Sequence, residues 1–199
     1  MAWLEPVTLQ GEHARLEPLS HAHYADLVVA TRDGEPWKHW YTFVPSPETM
    51  TAEIDRRLGL QEAASMLPFA VVEPATLQAV GMTSFMNVDA ANRRVEIGST
   101  WLRKSVQRTG LNTECKLLLL GQAFETLGCI AVEFRTHFFN QQSRRAIERL
   151  GAKLDGVLRN HQRASNGTLR DTCVYSIIES EWPTVRSHLR YQLETRAVR

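Results

Sequence analysis

Apolar positions along the chain repeat with two spacings, near two residues and near 3.6, and the changes between them mark the elements. Val7-Thr8-Leu9 and Ala14-Arg15-Leu16-Glu17 flank Gly11-Glu12 and read as a short strand pair. Ser20 can cap a helix over residues 21–30, which Asp33-Gly34 breaks. Ser46-Pro47-Glu48-Thr49 sets a cap, a first-turn proline and an acid ahead of Ile54, Leu58 and Ala63, which predicts a second helix over 48–64. Residues 69–72 and 79–88 are short apolar strands, with a hairpin turn over 74–78.

In residues 94–101, Val95, Ile97, Ser99 and Trp101 fall on one face and Glu96, Gly98 and Thr100 on the other, so Glu96 stands mid-strand, opposite the apolar row. From Asn112 the spacing turns helical through Leu120, Ala123, Phe124 and Leu127, and Gly128 stands where a left-handed C-terminal cap is expected. Ile130, Val132 and Phe134 alternate as a strand, residues 143–150 return to a helix closed by Gly151, and Val157 and residues 172–178 form strands around Asn166-Gly167. The second half reads strand, helix, strand, helix, strand, strand. No repeat and no useful linker divides the sequence, so one α/β domain over 1–199 is expected.

Charge narrows the partners. With 23 Lys and Arg against 22 Asp and Glu, the formal net charge of +1 gives no long-range field to hold nucleic acid or an acidic membrane, although a local basic patch stays open. Cys115, Cys129 and Cys173 are far apart, without a Cys-x-x-Cys pair or a His at metal spacing, so neither a disulfide framework nor a metal site is expected and a reducing cytoplasm fits. Met1 to Pro6 lacks a basic flank before an apolar core, and no apolar run nears the roughly 18 residues of a membrane span, so no signal peptide or membrane helix is expected.

The informative junction is the run from Trp101 through Arg103, Lys104, Gln107, Arg108, Gly110 and Asn112 to Glu114, where a strand passes through a basic, glycine-containing loop into a helix start. A helix N-terminus offers unpaired N–H groups and about half a positive charge; Gly110 permits close backbone approach, and Arg103, Lys104 and Arg108 add counter-charge. A pyrophosphate fits there, and so does an ordinary strand-to-helix turn with solvated basic residues. The glycines of the nicotinamide fingerprint and of the P-loop are missing.

At this junction Gln107-Arg108-Thr109-Gly110-Leu111-Asn112 resembles the Q/R-x-x-G-x-G/A pyrophosphate loop of the GCN5-related N-acetyltransferases (the GNAT superfamily), with Asn112 at the third small position. That Asn is similar to the RimJ/RimL-like branch of ribosomal-protein N-terminal acetyltransferases. So are Val95-Glu96-Ile97-Gly98, Thr109 to Glu114, the Asn140, Ser143, Ala146, Ile147, Leu150, Gly151 spacing, and Gly156-x-Leu158-Arg159. These signals lie between residues 94 and 182; the first 90 residues match loosely. The resemblance implies a GNAT fold of α/β (α+β) class, a mixed and mostly antiparallel sheet splayed in the middle with helices on both faces. It implies acetyl-coenzyme A as acyl donor, without a metal. The pyrophosphate lies on the amides from Arg108 to Thr113, with Gln107, Asn140 and Ser143 also at the coenzyme, and the pantetheine arm enters the splay, where Gly98 marks a bulge. Arg103 by its charge is a further contact, and of Arg144 and Arg145 on the next helix Arg145 is the candidate for a coenzyme phosphate, against a solvated helix face.

A free primary amine has a pKa near 10, so transfer needs a base. The resemblance places Glu96 in the cleft for that task; a surface Glu paired with Arg94 is the competing reading. Where many relatives carry a Tyr acid this chain has Ile147, which leaves Ser143 or solvent to protonate the thiolate. Asn140 reads equally as a simple helix cap. On the acceptor side, the segment with Trp37, Trp40 and Tyr41 forms one wall, or else packs a core or a homodimer, and the other wall is the Arg159 to Gln162 segment, with His161, and Asp171. His161 and Gln162 stand where some relatives carry an acid, a departure that speaks against ribosomal-protein specificity while a protein N-terminus stays open as acceptor. No role falls to His21, His23 or His137, and His137 reads as a strand-end surface residue. The expected activity is N-acyl transfer to a small amine or a protein N-terminus; a coenzyme-sensing module without turnover and succinyl-coenzyme A as donor are the alternatives.

Overall fold

The computed structural model describes residues 3–164 and 166–197. Among these, eight strands form one sheet: β1 (Leu9–Gln10), β2 (Arg15–Pro18), β3 (Met66–Glu73), β4 (Gln78–Asp89), β5 (Arg94–Leu102), β6 (Ala131–His137), β7 (Lys153–Arg163) and β8 (Leu169–Ile178), in spatial order β1-β2-β3-β4-β5-β6-β8-β7. Every neighbouring pair is antiparallel except β5 and β6. A parallel pair needs a crossover, and α3 (Leu111–Gly121) supplies it. On the α3 face, Leu119 and Leu120 and the Val185 and Leu189 pair of α5 (Trp182–Ala197) pack over Phe85 and Ile97. On the other face, α1 (Tyr24–Arg32) and α2 (Met50–Glu62) bury Leu27 and Ile54 against Met82 and Trp101. Helix α4 (Gln141–Arg149) follows β6. The mixed sheet with helices on both faces is the one the resemblance implies.

The feature that makes a site is a short pairing. Strands β5 and β6 are in register only at Arg94↔Ala131, Val95↔Val132 and Glu96↔Glu133, and beyond Glu96 they part, although β5 continues to Leu102 and β6 to His137. The sheet is therefore open in its middle.

Two bulges flank that opening. Met82 faces Trp101 and Ser84 faces Gly98, so Ser99 and Thr100 stand opposite Thr83 alone, with Ser99 at φ +49°. The bulge lies one residue beyond the glycine expected to mark it, and it reverses the alternation. Val95 and Ile97 pack under α3 and α5, whereas Trp101 joins the α1 and α2 core, so the single apolar face read from the sequence is corrected at Ser99. On β4 an extra residue between Met86 and Asp89 leaves Asn87 at φ +47°.

Other differences are local. The helix read as continuous from Asn112 to Leu127 is α-helical to Gly121; Gln122–Thr126 is a π turn, after which Gly128 takes φ +62°. Helix α5 has no counterpart among the elements expected from the sequence. The three cysteines are free and buried. Among the described residues, no helix is long and apolar enough to cross a membrane.

Candidate active site

Glu96 stands at the point where β5 leaves β6 and is only 5% exposed. The β4 bulge brings Asn87 over it, and Asn87 Nδ2 donates to Glu96 Oε2 at 2.6 Å. Arg135 Nε lies 3.6 Å from the same oxygen. Burial pushes the carboxyl above its ordinary pKa; the Asn87 hydrogen bond and the Arg135 charge pull it down by less, and Glu133, directly opposite, adds to the rise. The two ion pairs of Glu133, with Arg94 and Arg135, occupy that second carboxylate. A Cβ at position 98 would sit 2.7 Å from Glu96 Oε1 and 2.6 Å from Met86 Sδ, so glycine there lets the carboxylate lie over its own strand.

Beyond β5 the chain turns through residues 103–110 into α3, whose N-cap is Gly110. Thr109 Oγ1 donates to Val106 O (2.7 Å) and accepts from Leu111 N (3.3 Å). The bond from Glu114 N to Gly110 O (2.9 Å) closes the first helical turn, which leaves amides ahead of it directed out of the helix start. Within that start the buried Oδ1 of Asn112 has no hydrogen-bond partner among the described residues. Gln107 donates to Leu102 O (3.0 Å) and accepts from Gln142 of α4 (3.2 Å), so it ties the loop to the far side of the opening. On that side Asn140 caps α4 by accepting from Ser143 N (3.0 Å). The cap reading of Asn140 is thus realised, with its Nδ2 left over.

The cationic candidates divide. Arg103 is paired with Glu73 (3.0 Å), which commits its charge to β3. Arg144 is held by Tyr175 OH (2.9 Å) and lies over the Phe138 ring. Arg108 and Arg145 are exposed and make no ion pair among the described residues.

The carboxylate of Glu114, on the first turn of α3, accepts from the amides of Glu12 (3.0 Å), His13 (2.5 Å) and Ala14 (2.7 Å) in the β1–β2 turn. A Cβ on Gly11 would collide with it.

The aromatic segment between α1 and α2 reaches the end of β6. Trp40 stands edge-on to His137 at 5.1 Å between centroids, with Tyr41 at 6.3 Å and Phe139 at 5.8 Å from the same ring. Trp37 lies apart in a short turn and makes no ring contact with this group. His137, read as a surface residue, is 3% exposed because these rings and β8 cover it. Its Nδ1 accepts from Phe139 N (3.1 Å). His161 touches Thr172, opposite His137, through Nδ1 (3.1 Å), whereas Asp171 is engaged by Arg159 (2.7 Å) and Asn160 N (2.8 Å) and shapes β7. Asn87 and Arg135, which meet Glu96, the buried His137, and Arg170 of β8, whose charge also draws the Glu96 carboxyl down, have no role assigned from the sequence.

On the opposite face Lys116 of α3 is 6% exposed and donates to Thr83 (3.3 Å) and Thr100 (2.9 Å), with burial lowering its pKa to about 8. The unfolded chain keeps that proton up to about 10.4, so from there down to the folded value the unfolded state binds more protons and stability rises with pH. Lys116→Met is therefore expected to be more stable than the native chain at pH 7, on the order of 2 kcal/mol after the lost threonine hydrogen bonds are set against it, and the gap should close toward pH 10 in urea melts.

The family model of the acetyltransferase (GNAT) domain matches residues 13–153. A Bacillus subtilis (strain 168) protein provisionally named the ribosomal N-acetyltransferase YdaF is 34% identical over 102 residues, 51% of this chain and 55% of that protein. The chain thus spans a little over half the length of that relative. The crystal structure of a GCN5-related N-acetyltransferase from Brucella melitensis aligns with a TM-score of 0.85 at 29% identity, covering 96% of this chain and 86% of that one. An acetyltransferase of T. thermophilus, also provisionally named, aligns at 0.83 and 32% identity over 96% and 99% of the two chains.

Proposed function

The chain belongs to the GNAT acetyltransferase family, and from that premise we propose that it moves acetyl from acetyl-coenzyme A directly to a primary amine, with Glu96 as general base. The observation that carries this reading is a buried carboxylate of raised pKa at the point where the sheet opens.

The donor's arm enters between β5 and β6, and its pyrophosphate lies on the amides at the start of α3 beside Gly110, with Arg108 and Arg145 as free counter-charges. The buried Asn112 Oδ1, which lacks a donor, fits a hydroxyl or amide of that arm. Gln107 and Asn140 frame the entrance from its two sides.

The incoming amine arrives mostly protonated at pH 7, and Glu96 takes its proton, directly or through water. The nitrogen then bonds to the thioester carbonyl carbon as the carbon–sulfur bond breaks, and the second proton it sheds in becoming an amide passes, through Ser143 or solvent, to the departing thiolate. A thiol pKa near 8.5 makes either route adequate. An enzyme thioester is disfavoured by Cys115, which is buried in the α3 core with its pKa pushed up to about 12. Trp40 and Tyr41 cover the acceptor's stem. The three buried thiols suit the reducing compartment expected for a cytoplasmic chain.

The test is thiol release from acetyl- and succinyl-coenzyme A with pooled amines, amino acids and peptide N-termini, the products weighed by mass spectrometry. Acetylated amine supports the reading. Coenzyme binding without turnover of any acceptor would replace it with a sensing module.

A further inference from the structure

On the face that carries Glu96, most charges are matched. Glu133 holds Arg94 and Arg135. Arg170 of β8 is the exception. Its Nε donates to Thr172 Oγ1 (3.1 Å), and its two terminal nitrogens meet no acceptor among the described residues. Because Arg170 and Thr172 are two apart on one strand, they share a face, and this hydrogen bond folds the arm back along β8 toward Thr172. Thr172 pairs directly with His137, and Arg135, two residues before His137 on the same face, lies 3.6 Å from Glu96. The half-buried guanidinium and Glu96 act on each other through their charges but form no ion pair among the described residues, so the terminal fork of Arg170 is left open to a ligand beside the carboxylate.

A second group in the same place is also incomplete. His137 accepts from Phe139 N through Nδ1, which puts its proton on Nε2, and that buried nitrogen has no acceptor among the described residues. Burial and the Arg170 charge hold the ring neutral at physiological pH, as a fixed donor. Trp40, half exposed, lies edge-on beside it at the surface. A guanidinium fork and an imidazole N–H side by side both lack the same thing, an anionic oxygen.

Resting on the N-acyltransferase reading, we propose that the acceptor is a small amine that also bears a carboxylate, an amino acid in the broad sense, whose carboxylate is held by Arg170 with His137 as second donor while its amine faces Glu96. A planar fork matches a carboxylate with two parallel hydrogen bonds. Polyamines meet a guanidinium where they need an anion, and a peptide N-terminus has no α-carboxylate to offer.

The experiment compares each amino acid with its own carboxamide and its decarboxylated amine, beside polyamines and short peptides, in the full-length protein with acetyl-coenzyme A. The acid is expected to exceed its carboxamide in kcat/KM by about 10- to 100-fold, the range set by one charge-assisted carboxylate contact. In Arg170→Gln that ratio collapses toward one, while Arg170→Lys retains part of it, a pattern a merely structural role would not produce. Thermal shift gives a readout without turnover: the acids raise the melting temperature of the native chain and not of Arg170→Gln. Carboxamides, polyamines or peptides acetylated as well as the acids, or an unchanged ratio in Arg170→Gln, would overturn the proposal and leave the N-acyltransferase reading standing. Failure of every acceptor would remove both.

Discussion

Replacing Glu96 with Gln is expected to lower kcat/KM by about 10²- to 10⁴-fold, the range that a positioned general base contributes. Gln keeps the shape and can still accept the Asn87 hydrogen bond, so the cleft stays assembled and the donor's Kd should remain near the native value. The sign of the pH effect follows from burial. Glu96 holds its proton to a higher pH than an ordinary carboxyl, and only the deprotonated form can take a proton from the amine, so native kcat/KM climbs with pH through that raised pKa. In the Gln variant this acidic limb disappears. A pH–rate profile of both proteins, with donor affinity by calorimetry, decides the matter; identical profiles would remove Glu96 as the base.

The second large effect concerns stability. Arg57 on α2 is 1% exposed, donates to Glu53 (2.7 Å) and Ser84 (3.0 Å), and reaches the carbonyl of Ser99 (3.0 Å), the bulged residue of β5. One guanidinium thus fastens α2 to the distortion that opens the sheet. Arg57→Ala leaves a buried Ser84 hydroxyl and a bulge carbonyl without their donor, weakens the hold on Glu53 and opens a cavity, although Arg56 still pairs with Glu53. Removing one partner of such a buried set costs about 3–5 kcal/mol. For a chain of this length that is a fall in Tm of roughly 10 °C by calorimetry. Arg57→Lys should recover only part, because one ammonium cannot span three acceptors in the same geometry. A loss under about 1 kcal/mol in the Ala variant would show that the bulge stands without this tie.

What the sequence discloses and what it hides divide along physical lines. The alternation of Val95 and Ile97 and the helical spacing through Leu120 are local signals; the strand forms where it is expected, and the helix forms as far as Gly121, with Phe124 in the π turn that follows. The basic loop into α3 is legible for the same reason, since Gly110 and its neighbours are contiguous. The side chains around Glu96 are another matter. Asn87 arrives through a bulge, and Arg135 and His137 are set by the register of β6 with β8, with Arg170 two residues past its end, an arrangement no single-strand rhythm encodes. The burial of His137 depends on Trp40 and Tyr41, about a hundred residues earlier in the chain. The end of Arg103 on Glu73 and of Asp171 on Arg159 likewise belongs to packing rather than to motif. Helix α5 escapes notice because Trp182, Val185 and Leu189 are too few anchors to stand out in an otherwise polar run.

The carboxylate of Glu114 has a reach beyond its own helix. Three consecutive main-chain donors near the front of the chain close on it, so the outermost turn of the sheet and the first turn of α3 cannot loosen separately: opening either one strands a charge or a row of amides in the other. The N-terminal margin is therefore tied to the start of α3, the place proposed for the donor's diphosphate. A fusion or deletion made there, far from Glu96 in the chain, is felt first where the diphosphate would rest.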